Sequence, residues 1–124
     1  EVSNNLLNQF GSAADGIFTP NESTTEAMMN ALETAGLAGK VKFVGFDNND
    51  TLVSGIESKV IDALALQDPF NMGYLAVKHA VAHLKGETVD KVVDTGSLIL
   101  TLDNLQDARS QELVSPDVDK WLKE

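Results

Sequence analysis

The chemistry on offer in this sequence is concentrated at three positions. Asn21, Asp47 and Gln67 each follow a mostly apolar run: DGIFTP before Asn21, VKFVGF before Asp47 and VIDALAL before Gln67. An amide, a carboxylate and a second amide supply donors and acceptors but no cation, which suits a neutral ligand rich in hydroxyl groups and suits phosphate badly. Phe46 and Phe18, close to these positions, offer an apolar face for a sugar ring and are equally suited to a core. Asn and Asp also cap helices and form turns, so for each residue singly both readings stay open. Their recurrence after three successive apolar runs is what points to a common site.

Other chemistry finds fewer parts. Asp47–Asn48–Asn49–Asp50 has the acids of a calcium loop, but the glycine such a loop needs is Leu52 and no glutamate closes it. His79 and His83 have helical i, i+4 spacing without the intervening acid of a zinc motif, and with lysines beside them they read as a solvated helix face. The sequence has no phosphate-binding glycine loop, no dinucleotide fingerprint, no G-x-S-x-G and no cysteine, so neither cofactor nor catalytic machinery is expected. A phospho-accepting receiver would need a further acidic pair and a lysine at other strand ends, and these are missing. Nine Lys and Arg against nineteen Asp and Glu give a net charge of -10, which argues against a nucleic-acid surface.

The elements that must hold the three residues follow from periodicity. At 124 residues and 43% apolar the chain suffices for one domain with a core. Residues 2–10 read as a helix with Val2, Leu6, Leu7 and Phe10 on one side, closed by Gly11. A strand over 15–19 leads to a helix over 22–35, with Ser23 and Glu26 spaced as a capping box and Ala27, Met28, Ala31, Leu32 and Ala35 as its apolar stripe. A strand over 41–46 leads to a helix over 50–57 carrying Leu52, Val53 and Ile56. A third strand over 60–66 leads to a long helix from Asp68 to Lys85, with Gly73, Ala76, Val77, Ala80, Val81 and Leu84 toward the core. One or two β pieces and a final helix capped at Ser115 and Pro116, with Val118, Trp121 and Leu122 in contact, complete the chain. Three strand–helix units in succession call for an α/β fold: a parallel sheet with right-handed crossovers and helices on both faces in three layers. In such a sheet ligands bind beyond the carboxyl ends of the strands, where Asn21, Asp47 and Gln67 stand.

The order DGIFTPNE, VKFVGFD, IDALALQDPFNMGYLAV and TGSLILTLDN resembles the periplasmic sugar-binding proteins of ABC transporters, ribose-binding type, over nearly the whole chain. The combination of VGFD with a later Q-x-P-x-x-M-G is its specific part. The resemblance implies a partial second lobe of a two-lobe protein, a single incomplete domain over 1–124 that lacks its first two strands, with a hinge-crossing strand and the C-terminal helix over about 94–124. It implies that Asn21, Asp47 and Gln67, with Phe46 in the pocket wall, contact a monosaccharide, and that a membrane permease receives it. Thr19 and Pro20 stand where the family often has alanine and glutamine, a departure that bears on which sugar is bound.

Further expectations follow from the same resemblance. The protein is periplasmic, or extracellular and anchored to a membrane, although this stretch carries no targeting signal. The strand over 15–19 lacks its neighbour, so the missing lobe, a displaced segment or another chain should pair with it. A lactose-repressor-type effector domain shares this architecture, but the ESKVIDALALQDP segment departs from the pattern usual there.

Overall fold

The computed structural model describes residues 1–11 and 13–122, without the side chain of Trp121. Helix α1 (Val2–Phe10) precedes three strand–helix units, β1 (Gly16–Phe18) with α2 (Glu22–Thr34), β2 (Lys42–Phe46) with α3 (Asp50–Glu57), and β3 (Ala63–Gln67) with α4 (Pro69–Leu84). Strand β4 (Ser97–Leu100) and the helices α5 (Ala108–Val114) and α6 (Asp119–Leu122) follow. The sheet order is β1-β2-β3-β4. The first three strands are parallel, as the crossovers demand, whereas β4 runs antiparallel to β3, with Leu64 opposite Leu100 and Gln67 opposite Ser97. The sheet is therefore mixed, within an α/β fold.

The two faces of the sheet are covered unequally. Phe43, Leu64, Leu66 and Leu100 point to one side and are buried against Leu7 of α1, Met28, Met29 and Leu32 of α2, Leu52 and Ile56 of α3, and Leu113 of α5. Phe18, Val44, Phe46, Ala65 and Ile99 alternate to the other side by register, where Phe18 remains 61% and Ile99 53% exposed. Met72 of α4 lines one cavity with Phe46, Ala65 and Ile99 of that side. Of the expected three layers, the first two are filled and the third is thin.

Several elements differ in detail from the periodicity. The cap of α2 is Asn21, not Ser23: the Asn21 Oδ1 accepts from Thr24 N at 3.0 Å, and Ser23 Oγ donates to the same oxygen. On α2, Thr25 and Met29 are buried whereas Ala27 and Ala35 are exposed, because the helix turns its longer side chains to the sheet. Gly36, at φ +67°, closes α2 in the left-handed region, which a glycine enters without strain. Strand β3 begins at Ala63, three residues later than the apolar run. Val60 and Ile61 still donate to Gly55 O at the end of α3, and Asp62 accepts the Phe43 N–H through Oδ2 while pairing with Lys42 through Oδ1.

Helix α4 departs most. None of its residues is fully buried, and Val77 and Leu84 of the expected core stripe are 67% and 85% exposed. The half-buried side is that of Met72, Leu75, His79 and Ala82, because the chain returns along it: Met72, Leu75, Ala76 and His79 line a cavity with Asp90, Lys91, Val93 and Thr95. His79 thus sits on the half-buried side and only His83 on the solvated one. Helix α5 falls between the elements expected from sequence, and α6 starts at Asp119, with Val118 and Leu122 exposed; the contact expected of Trp121 lies outside the described residues.

Candidate functional site at the carboxyl ends of the strands

The segments that leave β1, β2 and β3 at their carboxyl ends carry Asn21, Asp47 and Gln67. These strands are neighbours in the sheet, so the three residues share one rim. Asn21 is exposed and its Oδ1 is committed to capping α2, but its Nδ2 donates to nothing among the described residues. Asp47 is half-buried and stands at φ +64°. Its backbone N–H is fixed on Ala65 O at 2.9 Å, while its carboxylate makes no hydrogen bond among the described residues. Gln67, the last residue of β3, is exposed and its amide is equally unengaged.

The contrast with neighbouring polar groups is informative. Asn49 caps α3, accepting from Leu52 N at 2.9 Å, and donates to Glu22 at 2.7 Å. Asp68 caps α4 through Oδ1, accepting from Asn71 N at 3.0 Å, and pairs with Arg109 through Oδ2 at 2.8 Å. Burial pushes the Asp68 carboxyl up, yet the Asn71 N–H and the Arg109 guanidinium outweigh it and hold the group below its ordinary value. The caps of α3 and α4 are thus the residues two after Asp47 and one after Gln67. Only at Asn21 does capping account for the candidate residue, and there for its oxygen alone.

A left-handed backbone at a residue other than glycine is uncommon, and Asp tolerates it better than most. At Asp47 it aims the chain out of β2 at the strand tip, so that Asn49, two residues on, is already in place to start α3. Phe46 precedes this turn on the thinly covered face and lines an open cavity of about 440 Å³ with Gln67, Ala65, Met72 and Gly96. Asn21 and Asp47 stand outside that cavity. Among the described residues no three His, Asp or Glu side chains gather to hold a metal ion, and Asp50 of the calcium-like run is exposed in the first turn of α3.

Sequence reasoning named Thr19 only as a departure from the family pattern and did not single out Thr25. Both are buried, and their hydroxyls lie 2.8 Å apart behind Asn21 and Phe46. The signal for Thr25 was Gly45, a glycine inside a strand, which marks a close approach by a neighbour: a Cβ there would lie 2.2 Å from Thr25 Cγ2. Nor did it anticipate the Asp68–Arg109 pair, whose partners are forty-one residues apart.

Residues 1–88 match the model of the periplasmic binding protein domain, and the chain belongs to that family. Its members are periplasmic solute-binding proteins, not enzymes. Similar solved structures include an ABC transporter solute-binding protein from Agrobacterium vitis with bound D-fucose, at 29% identity and a TM-score of 0.86 over 91% of this chain and 39% of that one. A carbohydrate transporter solute-binding protein from Agrobacterium radiobacter in complex with D-arabinose gives 32% and 0.85, over 92% and 38%. A second Agrobacterium vitis solute-binding protein, bound with alpha-D-tagatopyranose, gives 26% and 0.83, over 90% and 38%. The chain thus spans about two fifths of the length of these proteins. Among curated proteins there is no match. Among the described residues no helix is long and apolar enough to cross a membrane.

Proposed function

We propose that this chain is the sugar-facing part of the second lobe of a solute-binding protein, which captures a monosaccharide between two lobes and delivers it to the membrane permease of an ABC transporter from the periplasmic or outer side. The observation that carries this reading is the set of idle polar groups at one rim. The Asn21 Nδ2, the Asp47 carboxylate and the Gln67 amide have no hydrogen-bond partner among the described residues, while the polar side chains beside them are engaged in caps and ion pairs. An ionised carboxylate accepts two or more hydroxyl protons in short, charge-assisted bonds. Amides on either side donate to the remaining oxygens. Phe46 supplies the apolar wall against which a pyranose or furanose ring lies. Residues 94–124 carry the crossing between lobes, and the free side of β1 takes a strand from the rest of the protein. The neighbours' complexes with D-fucose, D-arabinose and D-tagatose support a monosaccharide as the class of ligand.

Titration calorimetry of the complete protein with D-arabinose, D-fucose, D-tagatose and D-ribose tests the reading. At least one sugar should bind, and Asp47→Ala should abolish that binding with the fold intact by circular dichroism. Absence of binding to a broad monosaccharide panel, or binding indifferent to both Asp47→Ala and Gln67→Ala, overturns it. A helix-turn-helix in the complete protein, with sugar-dependent binding to operator DNA, would move the same site to a lactose-repressor-type regulator.

A further inference from the structure

The geometry points to Thr25 as the positioning residue that sets Asn21 and Asp47 in register across two separate turns, an inference that rests on the sugar-binding reading of the site. Thr25 is completely buried in the first turn of α2. Its hydroxyl lies 2.7 Å from Asn21 O, 3.1 Å from Phe46 N, 3.3 Å from Phe46 O and 2.8 Å from Thr19 Oγ1. A hydroxyl has one proton to give and two lone pairs to fill. The shortest carbonyl contact takes the proton, so Thr25 donates to Asn21 O and accepts from the Phe46 N–H and the Thr19 O–H. Every hydrogen-bonding capacity of the group is then used, and both site turns hang on it.

The placement fills a gap that the sheet itself leaves. Strand β1 ends at Phe18, and past it the Thr19 N–H reaches Val44 O at 3.1 Å. No further residue of β1 is there to receive the next N–H of β2, at Phe46. The Thr25 hydroxyl takes that place, so a side chain from α2 continues the ladder where the strand has turned away toward Asn21. The Phe46 peptide leads directly into the left-handed Asp47. The direction in which the carboxylate leaves the sheet is therefore set on the β3 side by the Asp47 N–H bond to Ala65 O and on the α2 side by the same oxygen that holds the Asn21 carbonyl. Gly45 makes this approach possible, since a side chain there would collide with Thr25 Cγ2. Thr19, buried and itself hydrogen-bonded to Thr25, holds the hydroxyl in its orientation.

Two substitutions separate positioning from packing. Thr25→Val keeps the shape and removes the hydroxyl, and leaves the Phe46 N–H without its partner; Thr25→Ser keeps the hydroxyl and removes the methyl. In the complete protein, D-arabinose and D-fucose affinities measured by calorimetry should fall on the order of ten-fold in Thr25→Val, the size of one lost buried hydrogen bond, and stay near wild type in Thr25→Ser. Amide hydrogen exchange, which needs no ligand, should speed up together at Thr24–Thr25 and at Phe46–Asp47 in Thr25→Val while Leu64 and Leu66 stay protected. If Thr25→Val lowers the melting temperature but leaves sugar affinity unchanged, or if its exchange rates rise in one turn alone or in neither, the inference is overturned. If wild type binds neither sugar nor any of a broader panel, the sugar-binding reading fails, and the exchange result still decides whether Thr25 couples the turns.

Discussion

Arg109 of α5 donates from Nη2 to Asp68 Oδ2 at 2.8 Å, and so ties the segment after β4 to the residue that follows Gln67. Asp68 is buried while the Arg109 side chain is 53% exposed, so solvent screens the pair in part. Arg109→Ala should cost about 1–2 kcal/mol in denaturant unfolding, between the values for exposed pairs and for buried charge-assisted bonds.

The same pair sets an acid-sensitive component of stability. Burial raises the Asp68 carboxyl, but the Asn71 N–H and Arg109 outweigh it and leave the folded value below the ordinary carboxylate one. A carboxyl depressed on folding stabilises fully above its unfolded value, and that contribution disappears as pH falls through the folded value. Asp68→Asn, which keeps a cap and loses the charge, should flatten the acid limb of the stability profile below about pH 4. Asp62, lowered for similar reasons with Lys42 and the Phe43 N–H as partners against burial, remains in both proteins, so the difference between their profiles isolates Asp68. Parallel acid limbs would exclude this role.

Asp47 holds a backbone conformation that costs a residue other than glycine about 1–2 kcal/mol. Asp47→Gly should therefore leave the melting temperature of the complete protein equal or raised while abolishing sugar binding. Asp47→Ala keeps the strain and loses the carboxylate, and should be the less stable of the two. An Asp47→Gly protein less stable than Asp47→Ala would show that the side chain has a structural role instead.

Gly45 and Gly73 should respond to alanine in opposite directions. At Gly45 the added Cβ would lie 2.2 Å from Thr25 Cγ2 and 2.8 Å from Leu64 Cδ2, and such overpacking typically costs 1–3 kcal/mol, about the upper end of which is expected here. At Gly73, inside α4, nothing lies within 4 Å, so alanine should stabilise by about 0.5–1 kcal/mol through helix propensity. Denaturant midpoints of the two variants decide it, and equal shifts would refute the packing assigned to Thr25.

What was legible in the sequence was what local pattern encodes. The three strand–helix units and the cap and proline that open α4 followed from apolar runs and turn residues, because those signals act within a few positions. The family followed from the resemblance carried by motifs such as VGFD and Q-x-P-x-x-M-G. What was not legible depends on distant partners. The Ser23 capping box fails because Asn21, two residues earlier, already fills the cap. The start of β3 moves because Asp62 bonds Phe43 on another strand. The stripe on α4 is misplaced because its half-buried side is chosen by the returning segment at 90–95, which has no periodicity of its own. At the candidate site, residue type located Asn21, Asp47 and Gln67, but no local pattern distinguishes an idle amide from a capping one; that required the hydrogen bonds of Asn49 and Asp68.

The free side of β1 and the thin face of the sheet carry the last prediction. Among the described residues Gly16–Phe18 pairs only with β2, and Phe18 and Ile99 expose their side chains on the face where Val44, Phe46 and Ala65 also lie. An unpaired parallel edge beside exposed apolar side chains is a template for association. Residues 1–124 expressed alone should therefore self-associate with rising concentration in sedimentation equilibrium, and Phe18→Lys with Ile99→Lys should shift them toward monomer by placing like charges on that face. The same isolated chain should give no measurable heat with D-arabinose or D-fucose at millimolar concentration, since a single rim of hydrogen-bonding groups cannot enclose the sugar and exclude water. A monomeric chain that binds either sugar tightly would mean that Asn21, Asp47 and Gln67 form a complete site by themselves.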